Sequence, residues 1–131
     1  MIFSLHPQLA ADTFPVAELA LCSLLLINNR LFPWLILVPR VSGARDMADL
    51  ASPQRQQLSE EIHSASMALK TLCSPYKLNV AALGNKVEML HVHVIARFTQ
   101  DTAWPDPVWG KGQEPYTDAS EFIASLRAAI T

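Results

Sequence analysis

Cysteine is almost missing from this sequence. Cys22 and Cys73 are the only two among 131 residues, and they form no C-x-x-C pair. That excludes a redox dithiol and a thiolate-based zinc site, and both thiols read as small buried hydrophobes of a reducing compartment. An excess of basic charge is missing too. Ten Lys and Arg against twelve Asp and Glu leave a formal charge of −2, so a nucleic-acid polymer, which needs a basic patch or stripe, is not an expected partner. A small anion is still allowed, because backbone N–H groups and one or two side chains can hold a phosphate locally. The most apolar run, Leu19 to Ile27, is far shorter than the roughly 20 residues that cross a bilayer. The segment Met1-Ile2-Phe3-Ser4-Leu5-His6-Pro7 carries no basic start of a secretory signal. Repeats, low-complexity tracts and internal boundaries are also absent. These absences predict a single cytoplasmic domain over residues 1–131 that makes no membrane contact.

What is present is largely apolar. Half of the residues are hydrophobic, enough to bury a core and to exclude disorder. Residues 1–16, with Pro7 and Pro15, predict a loop holding one short strand at most. Leu19–Ile27 is a nearly continuous apolar run that predicts a strand covered on both faces, stopping at the Asn28-Asn29-Arg30 turn. Trp34–Val38, between Pro33 and Pro39, predicts a second strand antiparallel to the first. Ser52-Pro53 suits a helix start, with Ser52 as the cap. Leu58, Ile62, Ala65, Leu69 and Leu72 then share one helical face, with Gln57, Glu60, Glu61 and Lys70 on the solvated side, until Ser74-Pro75. Lys77–Leu83 and Glu88–Phe98 predict two more strands around the Gly84-Asn85-Lys86 turn. The proline-rich stretch Asp101–Tyr116 predicts a long loop. Asp118–Ile130 predicts a final helix, with Asp118 and Glu121 as its capping pair. The order is strand, strand, helix, strand, strand, helix, an α+β pattern on an antiparallel sheet.

The chemistry concentrates in Met89-Leu90-His91-Val92-His93-Val94-Ile95-Ala96-Arg97. Side chains alternate faces along a strand, so Leu90, Val92 and Val94 point one way and His91 and His93 the other. The aliphatic face belongs against the core beneath the long helix, and the two imidazoles share the opposite face. Spacing alone leaves three readings open: incidental surface histidines, two ligands of a metal, or a catalytic pair. A usual metal site needs a third and fourth ligand, and no Cys/His cluster supplies them.

The same segment resembles the signature of the histidine-triad (HIT) superfamily, His-φ-His-φ-His-φ-φ with φ apolar. Met89 stands at its first histidine, His91 at the second and His93 at the third. Upstream, Leu35-Ile36-Leu37-Val38-Pro39-Arg40 is similar to the family's apolar strand ending in Pro-Lys or Pro-Arg. Asn79 in Lys77-Leu78-Asn79-Val80 falls like the family's asparagine before the phosphate loop, and Gly84-Asn85-Lys86-Val87 stands where the family usually has Gly-Gln-Ser/Thr-Val. The matches run in order through residues 20 to 98. Pro33-Trp34 stands where many members have Gly-His or Thr-His, and Asn28-Asn29 where they often have an acidic residue.

The resemblance implies a HIT-like fold, with an antiparallel sheet of about five strands, a long helix and a C-terminal helix. It also implies a hydrolase or transferase that cleaves a nucleotide derivative at its α-phosphate. His91 takes the role of nucleophile, forming a covalent nucleotidyl-histidine, and His93 contacts phosphate oxygens or assists the leaving group. Asn79 and Asn85 bind phosphate and ester oxygens, and Asn28 or Asn29 lies near the ribose; Lys86, from its place in the turn before the histidine strand, reads as an exposed turn lysine or as a cation for phosphate. No metal or other cofactor is implied, and family members commonly form homodimers by pairing sheets or long helices. The alternative, carried by Met89, is a nucleotide-binding module on the same fold with little turnover. Among the remaining residues, His63 reads as structural and His6 is lone. The Trp104–Gly110 loop reads as an anchor for its own chain or as a flap over the ligand.

Overall fold

The structure is a computed structural model, and it describes residues 2–130. A five-stranded antiparallel sheet runs in the order β1-β2-β3-β5-β4. Its strands are β1 (Thr13–Glu18), β2 (Cys22–Ile27), β3 (Trp34–Pro39), β4 (Lys77–Ala81) and β5 (Val92–Arg97). Helices α1 (Pro7–Asp12), α2 (Ser52–Cys73) and α3 (Ser120–Ala129) complete the α+β fold, with a 3₁₀ turn at Met47–Asp49. The predicted order of elements from β2 onward is the observed one.

The strand alternation read from the sequence sets the two layers. Val92, Val94 and Ala96 of β5 pack with Leu24, Leu26, Leu35 and Leu37 and with Leu58, Ala65 and Leu69 of α2. On the other face lie Trp34, Ile36, Val38 and Ile95, joined by Leu9 and Phe32. The register sets His93 opposite Ile36 on β3 and Ala81 on β4, so the histidine face sits at the centre of the sheet.

Several details differ from expectation. The opening segment contains α1, whose cap is an imidazole: His6 Nδ1 accepts from Gln8 N at 3.0 Å, with Pro7 beginning the helix. Pro15 is tolerated in β1 because that strand lies at the sheet edge, where a missing N–H costs little, and the ladder shifts register beside it. Helix α2 is capped at Ala51 rather than Ser52, with Gln54 Oε1 accepting from Ala51 N at 2.8 Å. Helix α3 begins at Ser120, and Asp118 accepts from Ser120 N at 3.0 Å. Leu72 is exposed. β5 is shorter than expected, because residues 88–91 leave the ladder and Leu90 N donates instead to Ala44 O at 3.0 Å.

Glu61 is the plainest correction. It is buried rather than solvated, and its carboxylate accepts from Leu21 N and Cys22 N at 2.8 Å each and from Gln57 Nε2 at 2.7 Å. The charge of α2 thus terminates open N–H groups at the start of β2, which satisfies a carboxylate that would otherwise be costly to bury. Cys22 is buried, as expected, and burial pushes its thiol pKa up, reinforced by the neighbouring Glu61 carboxylate.

A second buried charge organises the long loop. Arg97 donates to both oxygens of Asp101 (2.9 and 3.1 Å), to Asn79 Oδ1 at 2.7 Å and to Asp106 O at 2.8 Å. Its guanidinium also lies over the rings of Phe32 and Trp104. Burial opposes ionisation of Asp101, but Arg97 and the N–H groups of Phe98, Ala103 and Trp104 prevail and lower its pKa from 3.8 to about 2. A depressed carboxylate contributes stability above its unfolded pKa, and that contribution is lost as pH falls from 3.8 toward 2. Asp101→Asn leaves Arg97 without a counter-charge and is expected to destabilise the fold by about 3 kcal/mol at neutral pH. Urea denaturation measures the loss, and an unchanged midpoint contradicts it.

Candidate functional site

Above the histidine face opens a cleft of about 770 Å³, lined by residues from three regions. β5, the residue before it and the 83–87 turn contribute His93, His91, Leu83, Gly84, Asn85, Lys86 and Val87. The end of β2 and the start of β3 contribute Ile27, Asn29 and Trp34. The rim comes from His6, Gln8, Leu9 and Asp12 and from Val108–Gly110 with Gly112 and Gln113. A smaller cavity of about 170 Å³ lies on the Met89 side, between Arg45, Met47, Ala82 and Leu90, and shares Gly84, Asn85 and His91 with the cleft.

His91 precedes β5 by one residue and is largely buried. Its Nδ1 lies 2.7 Å from the carbonyl oxygen of Met89. A carbonyl only accepts, so Nδ1 carries a proton, and in the neutral ring Nε2 keeps its lone pair. Among the described residues no fully buried side-chain nitrogen or oxygen lacks a partner. His91 Nε2 has no hydrogen-bond partner among those residues, so it is not a fully buried atom. Gly84 packs against the ring, where an added Cβ would come within 3.1 Å of Cε1 and 2.7 Å of Val87 O. Only glycine lets the turn approach the imidazole so closely.

His93 is fixed by two hydrogen bonds. Trp34 Nε1 donates to His93 Nδ1 at 2.9 Å, and His93 Nε2 donates to Leu83 O at 2.9 Å. The ring is therefore neutral, with its one proton on Nε2. Burial, with the neighbouring His91, lowers its pKa from 6.5 to about 4 against the opposing pull of the Leu83 carbonyl. Trp109 meets the ring edge-on, with centroids 5.0 Å apart.

The site residues read from the sequence divide into two groups. His91, His93, Asn85, Lys86 and Asn29 all line the cleft. Asn79 and Asn28 are not brought to it. Asn79 Oδ1 is taken by Arg97, and Asn28 Oδ1 accepts from Tyr116 N at 2.9 Å. Asn29 reaches the cleft wall, but its Oδ1 accepts from Leu31 N and Glu114 N, both at 3.2 Å, and its Nδ2 donates to Gly112 O, also at 3.2 Å. Both asparagines thus tie the 112–116 segment to the end of β2. The two loop tryptophans separate in role: Trp109 lines the cleft, and Trp104 packs against Tyr76 and Arg97. The rim residues His6, Gln8 and Asp12 carry no sequence signal, because the six-residue α1 is too short to show a helical period.

Among the described residues, no three His, Cys, Asp or Glu side chains gather closely enough to hold a metal ion. His91 and His93 do not form a chelating pair, since both nitrogens of His93 are engaged. No helix among the described residues is long and apolar enough to cross a membrane.

A family model described as the HIT domain matches residues 8–100. A histidine triad protein from Bradyrhizobium japonicum is 47% identical, with all of each chain covered and a TM-score of 0.96. A histidine triad protein from Marinobacter aquaeolei is 45% identical over 99% of this chain and 97% of its own, again with a TM-score of 0.96. The fold is also shared with a hypothetical histidine triad nucleotide-binding protein from Sulfolobus tokodaii, at 15% identity and a TM-score of 0.70 over 94% and 87% of the chains. No curated protein matched the chain. Relatives of this identity along the whole length, and a domain match over most of it, make the chain a member of the histidine-triad family, one in which methionine stands at the first triad position.

Proposed function

We propose that the protein binds a nucleoside phosphate in the cleft and cleaves a bond at its α-phosphorus, with His91 as nucleophile. The observation that carries this reading is the unpartnered, incompletely buried Nε2 of His91, opposite an Nδ1 whose proton is held by the Met89 carbonyl. The lone pair of Nε2 attacks phosphorus and forms a nucleotidyl-imidazolium, whose added positive charge strengthens the Nδ1–H bond to Met89 O. Orientation of the nucleophile thus needs only the backbone of residue 89, which methionine supplies as well as histidine. Asn85 and Lys86 border the same cleft, where an amide and an ammonium suit phosphate oxygens, and N–H groups of the 84–87 turn suit an oxyanion. The nucleoside lies toward Ile27, Leu9 and Trp109.

Incubation with the p-nitrophenyl ester of AMP or GMP tests the nucleophile. His91→Ala is expected to lower kcat by 10³-fold or more, on the order of losses seen for nucleophiles that act as a unit with their site. Equal rates in variant and wild type remove the catalytic reading. Nucleotide binding without turnover in the wild type makes the protein a binding module.

The neutral state of His93 carries its own expectation. A folded pKa of about 4 against 6.5 means that the unfolded chain binds more protons between those values. This contribution to stability is complete above pH 6.5 and is lost as pH falls toward 4. His93→Gln is expected to flatten that part of the stability–pH curve in denaturant titrations, and a curve parallel to wild type contradicts the assignment.

We also propose a homodimer. β4 is an edge strand, and Val80 on it and Tyr76 beside it are exposed, which leaves a sheet edge suited to pairing with a second copy. Sedimentation at micromolar concentration is expected to give twice the chain mass, and a monomer rejects the pairing.

A further inference from the structure

Helix α1 and its cap form one side of the cleft rim, through His6, Gln8, Leu9 and Asp12. The cap is a titratable ring. His6 Nδ1 accepts from Gln8 N at 3.0 Å, so that nitrogen carries no proton, and in the neutral ring the hydrogen sits on Nε2. Serine, threonine and asparagine, which are common caps, accept such a bond whatever the pH. An imidazole does not, because it gains a second proton roughly between pH 5 and 8.

Few other restraints act on α1. Its six residues are too few for a helix that persists in water unaided. Pro7 fixes the first position but brings no N–H. Leu9 is the one buried side chain of the helix, packed in a cluster with Phe32 and Trp34. Asn28 N donates to Asp12 O at 2.9 Å and Thr13 Oγ1 to Leu9 O at 2.7 Å, so the carboxyl end is tied to β1 and to the end of β2. At the amino end, Ala10 N closes the first turn on His6 O, and Gln8 Nε2 reaches both oxygens of Asp12. Those bonds stay within the helix and its cap, so they fail together with the first turn.

The charges near the ring are few. Asp12 lies at the far end of α1 and is held on Gln8. Lys86 of the 83–87 turn, His91 and His93 line the same cleft. In β1, Glu18 is the one ionisable residue, at the far end of the strand against Ser23 and Arg40. The opposite rim, Val108–Gly110 with Gly112 and Gln113, has no ionisable side chain, and Lys111 beside it is paired with Asp106. Among the described residues, no carboxylate pairs with His6 to favour its protonated form.

We propose that His6 is a proton-operated latch on the cleft rim, closed when the ring is neutral and released when it is protonated. A proton from solvent on Nδ1 removes the acceptor of the Gln8 N–H and places a cation at the positive end of the α1 dipole. Both effects oppose the first turn, which opens while Leu9 and the Asp12 carbonyl keep the far end docked. Deprotonation restores the acceptor and the turn. The bond is complete on the alkaline side of the imidazole range and is lost as pH falls through it.

Amide exchange read by NMR tests the latch at about pH 8 and about pH 5, the ends of the imidazole range, after correction for the intrinsic pH dependence of exchange. Protection of the Gln8 and Ala10 N–H groups in wild type is expected to fall about 5-fold or more on acidification, the usual worth of a cap. His6→Asn keeps an acceptor that does not titrate and leaves His93 in place, so protection is expected to hold at both values. Constant protection in wild type overturns the latch. An equal fall in His6→Asn assigns the change to another group and overturns it too. A second readout rests on nucleotide binding in the cleft. AMP affinity is expected to drop further on acidification in wild type than in His6→Asn, the ionisation of AMP being common to both. Equal drops overturn the link between latch and ligand, whereas absence of AMP binding overturns the nucleotide reading and leaves the exchange result standing.

Discussion

A backbone carbonyl can accept a hydrogen bond but never donate one, and at two places in this protein that asymmetry decides where a proton resides. The Met89 oxygen holds the Nδ1 hydrogen of His91, and the Leu83 oxygen holds the Nε2 hydrogen of His93. Two imidazoles of the same kind, two residues apart on one face, are thereby given opposite characters. One keeps a nitrogen with no hydrogen-bond partner among the described residues, and the other is closed at both ends. Because the deciding atoms belong to the main chain, the arrangement depends on backbone path more than on the identity of residues 83 and 89.

Two buried charges anchor backbone segments on opposite sides of the sheet. Glu61 gathers the start of β2 from the helical side, and Arg97 gathers the 101–106 loop from the cleft side. Each is surrounded by hydrogen-bond partners, the condition under which a charge can be taken out of water without a net penalty. They differ in reach. Glu61 joins a helix to a strand, whereas Arg97 joins the end of the histidine strand to the loop that carries Trp109. The position of the loop over the cleft is thus coupled to the strand that carries His93.

The sequence revealed the fold through period and order. Val92, Val94, Leu58 and Leu69 declared their faces because apolar spacing is a local property, and the His91-Val92-His93 alternation put both imidazoles on one face for the same reason. Glu61 did not declare itself, because its partners are main-chain N–H groups some 40 positions away, which no side-chain pattern records. Helix α1 was hidden by its shortness and by a histidine acting as its cap. Asn28 and Asn79 looked like ligand contacts by position, yet their amide oxygens are claimed by Tyr116 N and Arg97. Trp34 could be seen to replace an imidazole, but its bond to His93, 59 positions away, required the register of β3 against β5.

The rim of the cleft is assembled from two segments about 100 positions apart, residues 6–12 and residues 108–113, whereas its floor comes from residues 27–34 and 83–93. Neither rim segment contributes a residue to the five-stranded ladder. Substitutions in the rim can therefore reshape the cleft without breaking a ladder hydrogen bond of the strand that carries His93.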